Sequence, residues 1–230
     1  MKKRWWLMVP AALILAAVIY VNDYCPAVDV SMESEGAKVH ETDYGWHFDG
    51  PSEDTALIFY PGAKVEAAAY APMMRKLAAA GMDACLVKMP LRLAVFDINA
   101  ADRVMARHEY AHWYVGGHSL GGVMAAMYAA NHGDALDGVI LLAAYPIKPL
   151  DDRLRVISLY GSEDGVLNAK RYADSRRYFP SDTVEHVIPG GNHAGFGNYG
   201  AQRGDGIATL SREAQQAEAV RIIVDAARGT

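Results

Sequence analysis

The chain has 230 residues, of which 52% are hydrophobic, with a net charge of −5 and two cysteines. This length suits one domain with a single core and leaves no room for two full domains. The negative charge disfavours nucleic acid as a partner. Cys25, beside the apolar start of the chain, and Cys85, within an apolar strand, are not expected to meet, so no disulfide framework or metal site follows from them. We expect no cofactor.

The first 25 residues differ in kind from the rest. A basic start at 2–4 precedes an uncharged apolar run over 5–21, flanked by aromatic residues. As a helix this run measures about 25 Å, just enough to cross a hydrocarbon core of about 30 Å with aromatic side chains at both interfaces. We predict a transmembrane anchor over 1–25, with the following domain on the extracytoplasmic side. A cleavable signal peptide, which would leave a secreted protein, is the alternative.

The remaining chain alternates strands and helices. Residues 26–37 are polar and irregular and predict a linker, followed by one domain over 38–230. We predict strands at 38–48 (an antiparallel edge pair), 55–60, 83–89, 112–115, 138–144, 155–160 and 183–188, and helices at 66–80, 96–108, 120–131, 168–178 and 212–227. Apolar strands alternating with helices indicate an α/β fold, with a mostly parallel central sheet covered by helices on both faces.

A Gly-His-Ser-Leu-Gly motif at 117–121 lies between a predicted strand and a predicted helix. This is the context of a nucleophile elbow, a turn so tight that Gly117 and Gly121 are needed for close backbone approach. Ser119 would project from that turn. The alternative, an ordinary serine at a helix N-terminus, would fit a lone serine in this place.

An acid and a histidine follow Ser119 in the chain. Asp164 comes directly after the strand at 155–160, and His193 lies on a glycine-rich loop after the strand at 183–188. Carboxyl ends of parallel strands meet at one edge of a sheet, so we expect the three side chains to converge there. Glu163 competes with Asp164 for the acid position. His186, the other histidine after Asp164, alternates in phase inside its strand and is not expected to take part.

The connection at 146–154 is too short for a cap domain. It lies between two predicted strands and barely suffices for a crossover. We therefore expect an open site with no helical lid.

Five motifs together are similar to those of the α/β-hydrolase superfamily, and more narrowly of the small, lidless bacterial group called α/β-hydrolase fold-5. They are Phe-Tyr-Pro-Gly at 59–62, Lys-Met-Pro at 88–90, Gly-Gly-His-Ser-Leu-Gly-Gly at 116–122, Tyr-Gly-Ser-Glu-Asp-Gly at 160–165 and Gly-Gly-Asn-His-Ala-Gly-Phe-Gly-Asn-Tyr-Gly at 190–200. The resemblance covers nearly all of the chain after the linker. It implies a Ser-Asp-His hydrolase and leaves the substrate open.

The expected mechanism assigns a role to each residue of the site. Ser119 would attack an acyl carbonyl, His193 would take its proton, and Asp164 would orient and stabilise the histidine. The N–H of Leu120 would bind the oxyanion together with a second donor from the loop after the strand at 55–60. Pro61 has no N–H, so that donor is Ala63 or Gly62, with Ala63 slightly favoured.

Other residues have more than one interpretation. Lys88 follows a strand and could recognise a carboxylate or phosphate on the substrate, or be a solvated lysine. Tyr60 and Phe196 could line an acyl pocket or be packing residues. Asp205 could brace the histidine loop, and His118 is expected to pack behind the elbow.

The sequence thus predicts a membrane-tethered serine hydrolase that cleaves a carboxylic ester or thioester of a small-molecule or lipid-like substrate. An acyltransferase on the same three residues is the nearest alternative. A catalytically idle binding module that keeps the fold for a partner is another.

Overall fold

The computed structural model describes residues 8–32, 36–51 and 54–229. Within these ranges eight strands form a single sheet in the order β1-β2-β4-β3-β5-β6-β7-β8. The strands are β1 (Lys38–Glu41), β2 (Gly45–Asp49), β3 (Thr55–Tyr60), β4 (Asp83–Val87), β5 (His112–His118), β6 (Gly138–Leu142), β7 (Arg155–Gly161) and β8 (Val184–Ile188). Pairs β1-β2 and β2-β4 are antiparallel and all others are parallel. The predicted α/β architecture is confirmed.

Six α-helices accompany these strands in the described residues. They are α1 (Met8–Asn22), α2 (Ala71–Ala79), α3 (Ala100–Met105), α4 (Leu120–His132), α5 (Ala169–Ser175) and α6 (Arg212–Arg228). The helix predicted at 96–108 is much shorter than expected. Short 3₁₀ turns precede it, and Asp97, with φ and ψ of −154° and 59°, lies outside the helical region, so the α-helix begins only after it.

The sheet separates two apolar layers. Leu57 and Phe59 of β3 point into one layer, whereas Ile58 and Tyr60 point into the other, as alternation along a strand requires. The first layer includes α2 and α6, and the second includes α3 and α4. Because helices cover both faces, β3, β4 and β6 are buried almost throughout.

Connections at the carboxyl ends of the parallel strands are short. Residues 143–154, between β6 and β7, contain no helix, and no cap domain is evident in the described part of the chain. The predicted absence of a lid agrees with this. Consequently the carboxyl edge of the sheet is covered only by its own loops.

At the amino terminus the described helix is α1, which has 15 residues. Across 8–32, 36–51 and 54–229, no helix combines the length and apolar character needed to cross a membrane. The predicted membrane-spanning helix over 1–25 is therefore not supported, since α1 measures only about 22 Å at 1.5 Å per residue. The basic and tryptophan-containing start of that prediction, 2–6, lies outside the described residues.

In its described residues, 26–32 and 36–37, the predicted linker is irregular but attached to the domain. Cys25 pairs with Val65 in an isolated parallel bridge. The N–H of Ala27 donates to the Glu66 carboxylate at 2.9 Å, and the N–H of Val28 donates to the Asn198 carbonyl at 2.8 Å. These bonds fasten the start of the segment beside the loop that follows β3.

Candidate active site

Ser119 occupies a strained turn between β5 and α4. Its φ and ψ are 54° and −126°, and its N–H donates to the Leu142 carbonyl at 2.9 Å. Such a conformation is costly for a residue other than glycine and is typical of functional sites. A Cβ on Gly117 would lie 2.4 Å from the Tyr60 carbonyl oxygen, and one on Gly121 would lie 2.2 Å from the same atom. Both glycines are therefore required, as the motif predicts.

Asp164 and His193 form a buried pair. Nδ1 of His193 lies 2.9 Å from Oδ2 and 3.1 Å from Oδ1 of Asp164, and each side chain is only 2% exposed. Oδ1 of Asp164 also accepts the N–H groups of Val166 and Leu167 at 2.9 and 2.8 Å. These bonds hold the carboxylate towards the histidine. By contrast, Glu163 accepts the hydroxyl of its neighbour Ser162 at 2.9 Å, so the structure places Asp164 against the histidine.

The second ring nitrogen of His193, Nε2, has no hydrogen-bond partner in the described residues. The atom is also buried. In the tautomer whose Nδ1–H is directed to the carboxylate, Nε2 presents a lone pair. This atom is available to accept a proton.

His118 brings the serine turn and the histidine loop together. The residue precedes Ser119, and its ring centroid lies 4.5 Å from that of His193. Complete burial and the neighbouring His193 lower the pKa of His118 well below its ordinary value, so this ring is neutral. Its Nδ1 lies 2.8 Å from the hydroxyl of Tyr70. His118 thus packs behind the elbow as expected and contacts the candidate base directly.

The backbone donors predicted for an oxyanion, Leu120 with either Ala63 or Gly62, differ in whether their N–H already has an acceptor. The N–H of Gly62 donates to the Tyr70 hydroxyl at 3.1 Å. The N–H groups of Ala63 and Leu120 have no acceptor in the described part of the chain. Leu120 begins α4, whose N-terminal amides favour negative charge. The geometry therefore favours Ala63 over Gly62 as the second donor.

Asp205 joins the acid loop to the histidine loop. Its Oδ1 accepts the N–H of His193 at 3.1 Å and that of Gly165 at 3.2 Å, while Oδ2 accepts the N–H of Ala194 at 2.8 Å. One carboxylate thereby holds both members of the buried pair through their backbones. The predicted bracing position of Asp205 agrees with these contacts.

Gln215 of α6 holds the same loop from the other side and was missed in the sequence. Its side chain is fully buried, accepts the N–H of Asn192 at 3.0 Å and donates to the Asn192 carbonyl at 2.8 Å. A glutamine on the apolar face of an otherwise regular amphipathic helix is the signal that could have identified it. Tyr70 was missed for a similar reason, because its apolar spacing on a helix conceals the role of its hydroxyl.

Two of the residues predicted to contact the substrate are buried in the interior of the domain. Tyr60 is fully buried, its hydroxyl donating to the Ile98 carbonyl and accepting the N–H of Ala101. Phe196 is also fully buried, 5.8 Å from the His118 ring. This burial supports the interpretation of both as packing residues.

The third such residue, Lys88, has local partners. Its Nζ lies 3.0 Å from the Glu41 carboxylate and 4.1 Å from the centroid of the Trp46 ring. The lysine thus binds at the antiparallel edge of the sheet, and its contact with substrate stays a prediction.

A cavity of about 520 Å³ adjoins the serine turn on the side of β6. Its walls are mainly apolar, and polar groups come from α5 and the turn after it. The lining residues are Leu120, Val123, Met124, Tyr145, Pro146, Ile147, Arg171, Asp174, Ser175, Arg177 and Tyr178. This volume lies within the range of small-molecule sites, about 300 to 1,000 Å³. Leu120 belongs both to this wall and to the candidate oxyanion site, so the cavity opens next to the reacting position.

Comparison with known proteins agrees with this geometry. A family model described as "Alpha/beta hydrolase family" matches residues 56–217. No curated protein matches the chain.

Solved structures are similar at low sequence identity. A predicted CIB-like hydrolase from Thermoplasma acidophilum is 16% identical, with a TM-score of 0.55, covering 85% of this chain and all of the other. Est1E from Butyrivibrio proteoclasticus is 14% identical, with a TM-score of 0.58, covering 84% of this chain and all of the other. TT1662 from Thermus thermophilus is 14% identical, with a TM-score of 0.57, covering 85% of this chain and 98% of the other. At these identities the likeness establishes the fold alone.

Proposed function

Because the chain belongs to the alpha/beta hydrolase family, we propose that this enzyme is a serine hydrolase that cleaves a carboxylic ester or thioester through an acyl-enzyme intermediate. The observation that carries the proposal is the buried His193. Its Nδ1 is paired with Asp164, its Nε2 has no partner among the described residues, and its ring contacts the residue preceding Ser119.

In the first step Nε2 of His193 removes the hydroxyl proton of Ser119 while the oxygen attacks the acyl carbonyl. The imidazolium that forms is stabilised by Asp164, which remains ionised. The oxyanion is bound by the N–H groups of Leu120 and Ala63. Loss of one such donor costs roughly 3 to 4 kcal/mol of transition-state stabilisation.

The tetrahedral intermediate then breaks down with the help of the same histidine, which now acts as an acid. The histidine gives its proton to the leaving alcohol or thiol, and the acyl group stays on Ser119. Water, deprotonated by His193, attacks the acyl-enzyme; the histidine then returns this proton to the Ser119 oxygen as its bond to the acyl group breaks, releasing the carboxylic acid and the free serine. The apolar cavity beside Leu120 would hold the acyl group during both steps.

Labelling with a fluorophosphonate and hydrolysis of a soluble p-nitrophenyl ester test this function. We expect the full chain to be labelled at Ser119 and to hydrolyse the ester, whereas Ser119→Ala should lose both while unfolding at the same urea concentration. Unchanged turnover in Ser119→Ala would refute the assignment. Absence of labelling in folded protein would indicate a binding module.

Product analysis separates the hydrolase from an acyltransferase. With a competing alcohol present, a hydrolase yields mainly the free acid, and a transferase yields mainly the new ester. The extracytoplasmic position of the domain stays a prediction, which protease protection in intact cells would test.

A further inference from the structure

Exposed apolar side chains lie in two segments at the carboxyl edge of the parallel sheet. Leu91 and Phe96, in the segment after β4, are 54% and 59% exposed, and Ile207, in the segment after β8, is 89% exposed. Segments that follow parallel strands meet at one edge, here the edge that carries Ser119. Single exposed apolar residues are ordinary. Four strands lie between β4 and β8, so these side chains flank the edge on its two sides, where only a broad surface could contact them together. We call Leu91, Phe96 and Ile207 the apolar rim.

The helix α1 leaves the domain at this same edge. Nη1 of Arg92 donates to the Val21 carbonyl at 3.2 Å, beside Leu91 of the apolar rim. The N–H of Cys25 donates to the Lys64 carbonyl at 2.7 Å. Arg92 follows β4 and Lys64 follows β3, so the end of α1 is fastened to two loops of the carboxyl edge.

Apolar side chains surround α1 on all sides. More than half of the surface of each of the following is exposed: Met8, Val9, Leu13, Ile14, Leu15, Val18, Ile19 and Tyr20. A protein groove covers one face of a helix, whereas a helix that is apolar all round requires an apolar medium. The chain before α1, outside the described residues, begins with Lys-Lys-Arg at 2–4, and basic residues next to an apolar segment favour anionic lipid headgroups.

We propose that the apolar rim docks on a lipid surface, with α1 entering the lipid beside it, so that the mouth of the candidate active site faces the membrane. The inference rests on the proposed function in one respect: the ester would be drawn from the lipid phase. Neither contact requires a helix that crosses the bilayer, because partial insertion of apolar side chains suffices for binding at the interface.

Environment-sensitive labels test the docking without reference to catalysis. An NBD fluorophore is attached to the full chain at Phe96→Cys or Ile207→Cys, each combined with Cys25→Ser, while Cys85 is fully buried and remains unlabelled. The matched control is Val187→Cys, on the outer strand β8 and 38% exposed. With vesicles of phosphatidylcholine and phosphatidylglycerol, labels at 96 and 207 should shift to shorter wavelength and be quenched by brominated lipid, and the label at 187 should not.

Kinetics provide the second measurement. Phe96→Ser combined with Ile207→Ser should lower turnover of an ester embedded in those vesicles by about tenfold, since two buried apolar side chains are lost from the interface. Hydrolysis of a soluble ester should stay within about twofold, and Val187→Ser should change neither rate.

Several results would overturn the docking. Labels at 96 and 207 that remain solvent-exposed in vesicle-bound protein would exclude it. A spectral shift that depends on protein concentration without vesicles would assign the rim to contacts between copies of the chain. Failure of the proposed function is distinct, because it abolishes soluble-ester hydrolysis and fluorophosphonate labelling and leaves the label shifts unchanged.

Discussion

The hydroxyl of Tyr70 lies 2.8 Å from Nδ1 of His118, and the same oxygen accepts the N–H of Gly62 at 3.1 Å. A single buried hydroxyl therefore links the loop that carries the candidate oxyanion donors to the ring that packs on His193. The position of Ala63 relative to the reacting serine depends on this link, because Gly62 immediately precedes it.

Tyr70→Phe should reduce activity more than it perturbs the fold. The buried N–H of Gly62 loses its acceptor, at a cost of about 1 to 3 kcal/mol, and the oxyanion loop is free to shift. We expect kcat to fall about tenfold to a hundredfold with KM little changed, measured with a soluble ester. Tyr199→Phe is the matched control, because the Tyr199 hydroxyl binds Gln202 instead. Equal effects of the two variants would argue against the link.

Asp164→Asn should abolish most of the turnover. An amide cannot stabilise the imidazolium and favours the wrong tautomer of His193, so kcat should fall by roughly three to four orders of magnitude. Glu163→Gln should alter kcat by less than about twofold, because among the described residues the Glu163 side chain binds Ser162 and no member of the buried pair. Steady-state kinetics of both variants decide between the two acids, and a larger loss in Glu163→Gln would reverse the assignment.

Asp205→Ala should loosen the histidine loop. It removes the acceptor for the N–H groups of His193, Ala194 and Gly165, and we expect a loss of about 2 to 4 kcal/mol in the free energy of unfolding. Activity at a temperature where the variant is still folded should also fall, because Asp164 and His193 are no longer held in register. Hydrogen exchange at residues 193 and 194 measures the loosening, and unchanged protection there would contradict this account.

Filling the cavity beside the serine turn should alter acyl-chain preference. Val123 lies on its wall, and Val123→Trp would occupy much of the space next to Leu120. We expect kcat/KM for a hexanoyl ester to fall at least about tenfold relative to the acetyl ester. The acetyl ester serves as the internal control. A uniform loss for both esters would indicate damage to the elbow, and no loss for either would place the acyl group elsewhere.

Stability should fall at mildly acidic pH because of His47. Burial, and after it the neighbouring His108, lowers the pKa of His47 to about 4. The unfolded chain, with an ordinary pKa near 6.5, binds the proton more readily, so the contribution to stability is complete above pH 6.5 and is lost as pH falls towards 4.

We expect this loss to reach roughly 2 kcal/mol at pH 4. Urea unfolding of the native chain and of His47→Gln, compared between pH 7.5 and 4.5, measures the difference. The variant should lose less stability on acidification than the native chain. Parallel pH profiles for the two proteins would show that His47 makes no such contribution.

Features that depend on local sequence were predictable from it. β5 and β7 are mainly apolar, β8 alternates apolar and polar residues, and each strand is followed by a glycine-containing turn that carries one of Ser119, Asp164 and His193. Because strands alternate with helices along the chain, the sheet is expected to be parallel. The carboxyl ends of its strands then meet at one edge, which brings the three residues together. Each of these predictions rests on a pattern of residues that are close together in the sequence.

Features that depend on distant partners were not predictable. The hydroxyl of Tyr70 and the amide of Gln215 act on loops that α2 and α6 reach only after folding. Tyr60 ends a strand that leads to the site, yet its hydroxyl turns to the backbone of Ile98 and Ala101. Side-chain direction at the end of a strand is determined by packing with other elements, which a linear pattern does not contain.

The bridge between Cys25 and Val65 has a practical consequence for protein production. A truncation that starts at Ala27 would remove Cys25, whose N–H donates to the Lys64 carbonyl and whose carbonyl accepts the N–H of Glu66. Lys64 and Glu66 lie within three residues of Ala63, the favoured second oxyanion donor. Shortened versions of the enzyme should therefore retain residues from about Asp23 onward, or their measured rates will describe a loosened site.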